Sequence, residues 1–209
     1  MKRFDFPIDA YQAEWMLSAI RSKLDTISLL MRTIKVMLLP PIPNPGAAGT
    51  IVLQVDKMSR LFYVLDNKIF SINFPYTVIE DNGVLTFKSI HHSKIDSAVT
   101  SNVLSLLEVG NALASREVLN FAESISDICQ YDEDFWSLFR ELLIYEDGYI
   151  RFDHDEDRAN AQMHPLDHLD IFYTAGGTFK IGVHENISHE YLSDVLNVNT
   201  RCHYLAPQR

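Results

Sequence analysis

The four prolines between residues 40 and 45 constrain this chain more than any other feature. The segment reads Pro40-Pro41-Ile42-Pro43-Asn44-Pro45-Gly46. Proline has a fixed φ and no backbone N–H, so this stretch can form neither a helix nor a central strand. No Gly-Lys-Ser or Gly-Lys-Thr follows it, which excludes a phosphate-binding loop of the Walker type. The prolines therefore predict a rigid linker or a wide loop, which ends the block before it.

The block before the prolines has helical periodicity. Between residues 8 and 38, apolar side chains recur every three or four positions, which predicts one long helix with a continuous apolar stripe. Asp9 lies in its first turn, where a negative charge suits the helix dipole. Trp15 and Leu24 lie on the stripe, and we expect both to be buried. Residues 1–39 are thus predicted to be an N-terminal helix that packs on a sheet.

The remaining chain divides into three further blocks. Residues 50–90 contain short β-branched and aromatic runs, with Asn82-Gly83 as a hairpin signal, and predict a β-meander. Residues 96–143 are helical in pattern, and residues 144–209 are β-rich again before a short last helix. The strand–helix alternation of a parallel sheet is missing. We therefore predict a single α+β domain, residues 1–209, with the long N-terminal helix and the central helices packed on one antiparallel sheet.

Charge and cysteine content limit the classes of function. The chain has 18 Lys+Arg and 28 Asp+Glu, a net charge of −10, whereas proteins that coat nucleic acid need clustered basic residues. Nucleic acid would therefore bind only in a local cleft. No apolar window of about 18 residues predicts a membrane span, and no signal peptide is recognised. Cys129 and Cys202 are far apart, which favours two reduced thiols in a cytoplasmic protein.

Acidic residues, histidines and arginines concentrate between residues 151 and 170. Aspartate and histidine together can hold a metal that activates water, histidine can act as a general base, and arginine can stabilise developing negative charge. No motif such as His-Glu-x-x-His selects one of these chemistries, so catalysis and a metal both stay open, and no cofactor is indicated. The candidate catalytic residues are Arg151, Asp153, His164, His168 and Asp170.

Strand alternation predicts how these residues are arranged. In a strand over residues 166–173, His168 and Asp170 share one side, and we expect the other, more apolar side to face the core. His164 would lie about 13 Å from His168 along a continuous strand, unless the strand begins later and the chain bends. We expect residues 148–153 to form the adjacent strand. The two polar sides would then make one patch: Arg151, Asp153, His168 and Asp170.

The C-terminal third also carries an ordered set of motifs. Arg151-Phe152-Asp153 is followed by His164-Pro165-Leu166-Asp167-His168-Leu169, a strand and a terminal helix. Over roughly residues 144–200 this order resembles a family of uncharacterised bacterial proteins linked to restriction and phage-defence loci. The resemblance implies an accessory or regulatory subunit of a defence module, with a protein partner encoded nearby. The family often has a Cys-Arg pair before the strand that follows, where this chain reads Ala175-Gly176-Gly177-Thr178-Phe179-Lys180. Lys180 is only a partial substitute for that arginine.

The sequence leaves two other functions open. One is a nuclease-like hydrolase or toxin, for which Arg158 and His164 offer the Arg-x5-His spacing that resembles the ribonuclease motif of the all-helical HEPN superfamily. The other is a small-molecule sensor with a pocket beneath the aromatic strands. The hydrolase hypothesis requires that Asp153, His164 and His168 converge in a concave pocket.

Overall fold

A computed structural model describes residues 2–18, 20–57, 59–108, 118–145, 148–160, 162–174, 177–197 and 199–204. This part of the chain contains both helices and strands, as an α+β fold requires. The strands are β1 Lys2–Ile8, β2 Gly49–Val55, β3 Arg60–Leu65, β4 Lys68–Asn73, β5 Thr77–Asp81, β6 Val84–Lys88, β7 Tyr149–His154, β8 Asp167–Thr174 and β9 Gly177–Gly182. The helices are α1 Ala10–Met16, α2 Lys23–Met37, α3 Ser97–Glu108, α4 Val118–Cys129, α5 Phe135–Ile144 and α6 His189–Val195.

Seven of the strands form one sheet in the order β1-β2-β3-β4-β7-β8-β9, and every neighbouring pair is antiparallel. The pairing of β4 with β7 joins the two strand-rich blocks, as the sequence predicts. β5 and β6 form a separate two-stranded hairpin. Its turn residues Asn82 and Gly83 have φ of 51° and 80°, the left-handed conformation that an Asn-Gly hairpin turn needs. The predicted hairpin is therefore confirmed.

The predicted N-terminal helix over residues 1–39 is wrong. The chain begins with the edge strand β1, in which Phe6 and Ile8 are buried, and then forms two shorter helices. Asp9 caps α1 by accepting a hydrogen bond from Gln12 N at 2.7 Å. Ser22 begins α2 with a capping box of its own. Both residues are N-caps, and Ser22 starts the second helix at a point where the apolar periodicity shows no interruption.

Both faces of the sheet are covered. The larger core lies between α1–α5 and one face, and includes Ile8, Met16, Ile34, Tyr63, Phe70 and Phe139. A smaller core lies under α6 on the other face and includes Val52, Phe62, Phe152, Ile187 and Leu192. Trp15 and Leu24, which we expected to be buried, are only partly buried at the margin of the larger core.

The central helical block agrees with α3, α4 and α5, although residues 109–117 within it lie outside the described part of the chain. Cys129 is half-buried and Cys202 is exposed, and both are free thiols, as predicted. Among the described residues, no helix combines the length and the apolar character needed to cross a membrane.

Candidate functional site

The predicted polar patch forms where β7 pairs with β8. The register places Arg151 opposite Asp170 and Asp153 opposite His168. The Arg151 guanidinium donates from Nε to Asp153 Oδ2 at 2.8 Å and makes an ion pair with Asp170 Oδ2. Burial opposes the charged guanidinium, but these two carboxylates outweigh it and raise the pKa of Arg151. The sequence thus predicted four side chains that the structure brings together.

The expectation about which side of β8 faces the core is only half correct. Phe172, on the same side as His168, lies in the larger core and stacks on Tyr149 at 5.3 Å. Leu169, on the opposite side, packs against the smaller core under α6. Because both sides of the strand are covered, the more apolar side does not identify a single core face. The patch therefore belongs to the face that packs against α1–α5, and Asp153 and His168 are 5% and 0% exposed.

Two lysines complete the polar cluster. The sequence did not point to Lys68, and it pointed to Lys180 only as a partial substitute for an arginine of the resembling family. Lys68 on β4 lies with Nζ 3.8 Å from Asp153 Oδ1. Burial lowers the pKa of Lys68, while the charge of Asp153 acts in the opposite direction. Lys180 on β9 lies with Nζ 3.5 Å from Asp170 Oδ1 and 3.5 Å from His168 Nε2. We use "polar cluster" below for these six residues: Lys68, Arg151, Asp153, His168, Asp170 and Lys180.

His168 is held in one orientation by the loop before β8. Its Nδ1 donates a hydrogen bond to the carbonyl of Pro165 at 2.9 Å, because a carbonyl can only accept. In the neutral ring, Nε2 then carries a lone pair, and it lies 3.8 Å from Asp153 Oδ2 and 3.9 Å from Asp170 Oδ1. Gly182 pairs with His168 across the strands, and a Cβ there would come within 3.0 Å of Pro165 Cγ. Glycine at this position leaves room for the proline.

His164 lies beside the polar cluster but contributes no atom to it. The strand begins only at Asp167, so the chain bends before it and the rings of His164 and His168 meet edge to face at 4.5 Å. His164 Nε2 is 3.9 Å from Asp155 Oδ2, and its buried Nδ1 has no hydrogen-bond partner. Arg158 pairs with the same Asp155 at 2.6 Å. Arg158 and His164 therefore sit in a loop between strands, unlike the helix end of the HEPN motif.

A cleft of about 720 Å³ opens beside the polar cluster, between α1, the β3–β4 turn and the end of β7. Its apolar wall includes Ala13, Leu17 and Leu65. Asp153 lines the cleft, and its Oδ1 is buried without a hydrogen-bond partner. The cleft has six carboxylates against the two basic residues Lys68 and Arg158: Glu14, Asp66, Asp153, Asp155, Glu156 and Asp157. We call it the acidic cleft, since its field attracts cations and repels polyanions.

Three residues of the polar cluster also form a possible ligand set. The ligand atoms of Asp153, His168 and Asp170 all lie within 4.8 Å of one another. One imidazole nitrogen and two carboxylates can bind a divalent metal, or they can exchange protons with a water molecule. Asp153 and His168 thus converge, with Asp170 in place of His164, but of these three residues only Asp153 lines the cleft.

Comparisons with known proteins identify no relative. No protein-family model matches the chain, and searches of curated proteins and of solved structures give no match either.

Proposed function

We propose that this protein is a nuclease-like hydrolase whose reaction takes place in the acidic cleft. One observation carries the proposal: Asp153 presents a buried carboxylate oxygen without a hydrogen-bond partner at the wall of the cleft. Arg151 holds the other oxygen of the same carboxylate. A carboxylate that is fixed through one oxygen and makes no hydrogen bond at the other is suited to accept a proton from water.

The surrounding charges suit the hydrolysis of a phosphodiester. Water attacks phosphorus and its proton passes to Asp153 Oδ1. The bond to the leaving oxygen breaks, and that oxygen takes up a proton from solvent. Negative charge then develops on the phosphoryl oxygens. The Lys68 ammonium group, 3.8 Å from Asp153 Oδ1 and also lining the cleft, is placed to stabilise that charge. Arg158, with a side chain that is 75% exposed, offers a second cation at the rim.

The excess of carboxylates restricts what enters the acidic cleft. A long polyanion would be repelled, whereas a short or single-stranded end of a nucleic acid brings fewer charges. The substrate class that we propose is therefore an oligonucleotide or a chain end, not the backbone of a continuous duplex.

The test is hydrolysis of end-labelled RNA and DNA oligonucleotides by the purified full chain. We expect Asp153→Asn to lower the rate by about 10²-fold or more, the size of a general-base contribution. Lys68→Met should lower it as well. Asp5→Asn is the matched control, because Arg3-Phe4-Asp5 repeats the Arg-Phe-Asp sequence on β1 with an exposed ion pair. Thermal melting of each variant separates loss of activity from loss of folding. Full activity of a folded Asp153→Asn variant would refute the proposal.

A second candidate function is the accessory subunit of a bacterial defence module, acting in the cytoplasm with a protein encoded nearby. The observation in its favour is the strand β9, which among the described strands pairs only with β8. Phe179 on this edge is 52% exposed. A free strand edge beside an exposed aromatic residue can accept an extended segment of another protein.

Co-purification with the product of the neighbouring gene tests this second function. A stable complex is expected, and Phe179→Asp should weaken it. A chain that stays monomeric and unbound at micromolar concentrations of that product would count against it.

A further inference from the structure

The ammonium group of Lys180 occupies a position between two ligand atoms of the polar cluster. Its Nζ is 3.5 Å from both Asp170 Oδ1 and His168 Nε2, which is longer than a strong hydrogen bond. The Lys180 side chain is 38% exposed on the edge strand, so it can turn into solvent without disturbing the core. A loosely held monovalent charge thus occupies a place that suits another cation.

The carboxylates around this place are only partly satisfied. Arg151 contacts the Oδ2 atoms of both Asp153 and Asp170, which leaves the Oδ1 atoms for other partners. Asp153 Oδ1 has no hydrogen-bond partner, although its side chain is only 7% exposed. Buried polar atoms are nearly always hydrogen-bonded in native structures. A carboxylate oxygen at this depth, with no hydrogen bond and only the Lys68 ammonium at 3.8 Å, therefore points to a ligand.

The histidine of the set has the support that metal ligands usually have. A metal-binding imidazole typically donates its other N–H to a carbonyl or a carboxylate, which fixes the tautomer and directs the lone pair. His168 makes this bond from Nδ1 to the Pro165 carbonyl. Its Nε2 lies 3.9 Å from Asp170 Oδ1 and 3.8 Å from Asp153 Oδ2, the oxygen that Arg151 contacts. The bond to Pro165 is independent of the carboxylates.

We infer that Asp153, His168 and Asp170 bind one divalent transition-metal cation, such as Mn²⁺, Fe²⁺ or Zn²⁺, when the Lys180 ammonium moves out. An imidazole among carboxylates favours these ions over Ca²⁺ and Mg²⁺, which prefer oxygen ligands alone. The ligand atoms, now within 4.8 Å of one another, would close to about 3.0–3.5 Å around a metal at about 2.1 Å. Arg151 and Lys68 stay nearby and weaken the binding, while the carboxylates of the acidic cleft strengthen it.

This inference deepens the proposed function. It rests on that function only for the role that the metal would have in hydrolysis. A divalent cation bound beside the acidic cleft, which Asp153 lines, would supply the positive charge that a phosphodiester needs there and would lower the pKa of a bound water. Asp153 would then act as a ligand of the metal and not as the base. Binding of the metal itself is a separate property and can be measured without a substrate.

The experiment is a titration of the full chain with Mn²⁺, followed by the loss of the electron paramagnetic resonance signal of free Mn²⁺. We expect one Mn²⁺ per chain. Lys180→Ala should bind it about tenfold more tightly, because the competing ammonium is gone. Asp170→Asn, with a side chain that is 18% exposed and therefore easier to replace than Asp153, should bind it at least tenfold more weakly. Asp5→Asn should bind it like the parent.

The outcomes separate this inference from the proposed function. An Asp170→Asn variant that binds Mn²⁺ like the parent, or no binding by either the parent or Lys180→Ala, would overturn the metal site. Mn²⁺ binding without hydrolysis of any oligonucleotide supports the site and counts against the hydrolase. Hydrolysis that continues unchanged in a chelator, by a chain that binds no Mn²⁺, supports the hydrolase and refutes the site.

Discussion

Replacing Arg151 by methionine tests the electrostatics of the polar cluster most directly. The change keeps a long, largely apolar side chain but removes the charge that both Asp153 and Asp170 contact. The side chains of these three residues are 22%, 7% and 18% exposed, so the ion pairs are largely shielded from water. The variant leaves two carboxylates at the sheet surface without their main partner.

The size of the effect follows from burial. Removing one partner of a buried ion pair costs about 3–5 kcal/mol, because the other charge is left uncompensated. Lys68 remains 3.8 Å from Asp153, and Lys180 remains 3.5 Å from Asp170. These two charges place the expected loss of stability near the lower end of the range, at about 3 kcal/mol. In a chain of 209 residues, each kcal/mol of lost unfolding free energy lowers the melting temperature by about 2–4 °C. Arg151→Met should therefore melt about 6–12 °C below the parent.

The chain contains its own control for this measurement. Arg3→Met removes the same residue from the same Arg-Phe-Asp sequence, but Arg3 and Asp5 are 43% and 49% exposed. An exposed pair contributes at most about 1 kcal/mol. Thermal melting and urea unfolding of both variants give the comparison, and adding Asp153→Asn and Asp170→Asn to Arg151→Met should restore part of the loss. If Arg151→Met and Arg3→Met melted alike, the argument from burial would be wrong.

Three further predictions concern other parts of the fold. The buried hydroxyl of Tyr63 lies 2.8 Å from Thr33 Oγ1, and Thr33→Val leaves it without a partner. The variant should therefore lose about 1–3 kcal/mol of unfolding free energy, measured in urea, and adding Tyr63→Phe should recover much of that loss. Burial, and then the charge of Arg3, lower the pKa of His189 below 6.5, so the native state resists protonation. Stability should therefore fall as pH drops below about 6.5, and His189→Phe should reduce that slope in melts between pH 5 and 8. Exposed Cys202 should react with a thiol reagent faster than half-buried Cys129 in the native protein, and equal rates in mass spectrometry would contradict the structure.

Local sequence chemistry was sufficient for the elements whose geometry depends on near neighbours. Asn82-Gly83 predicts a hairpin because these residues tolerate positive φ, and the hairpin is present. The alternation in β7 and β8 predicts which polar side chains share a side, because side chains alternate in any strand, and their pairing places Arg151 beside Asp170. Four of the five candidate residues, all except His164, were therefore brought together as expected.

Tertiary structure decided what local patterns could not. The first strand, β1, is set by its pairing with β2, and the break between α1 and α2 by the capping residue Ser22, whereas apolar spacing alone also fits one continuous helix. Lys68 enters the cluster because β4 lies beside β7, and Lys180 because β9 lies beside β8. His168 is fully buried, and its Nδ1 donates to the carbonyl of Pro165 in the loop before β8. A sequence records the order of residues, but the environment of a charge depends on which distant strands pair next to it, and that pairing sets its burial and its partners.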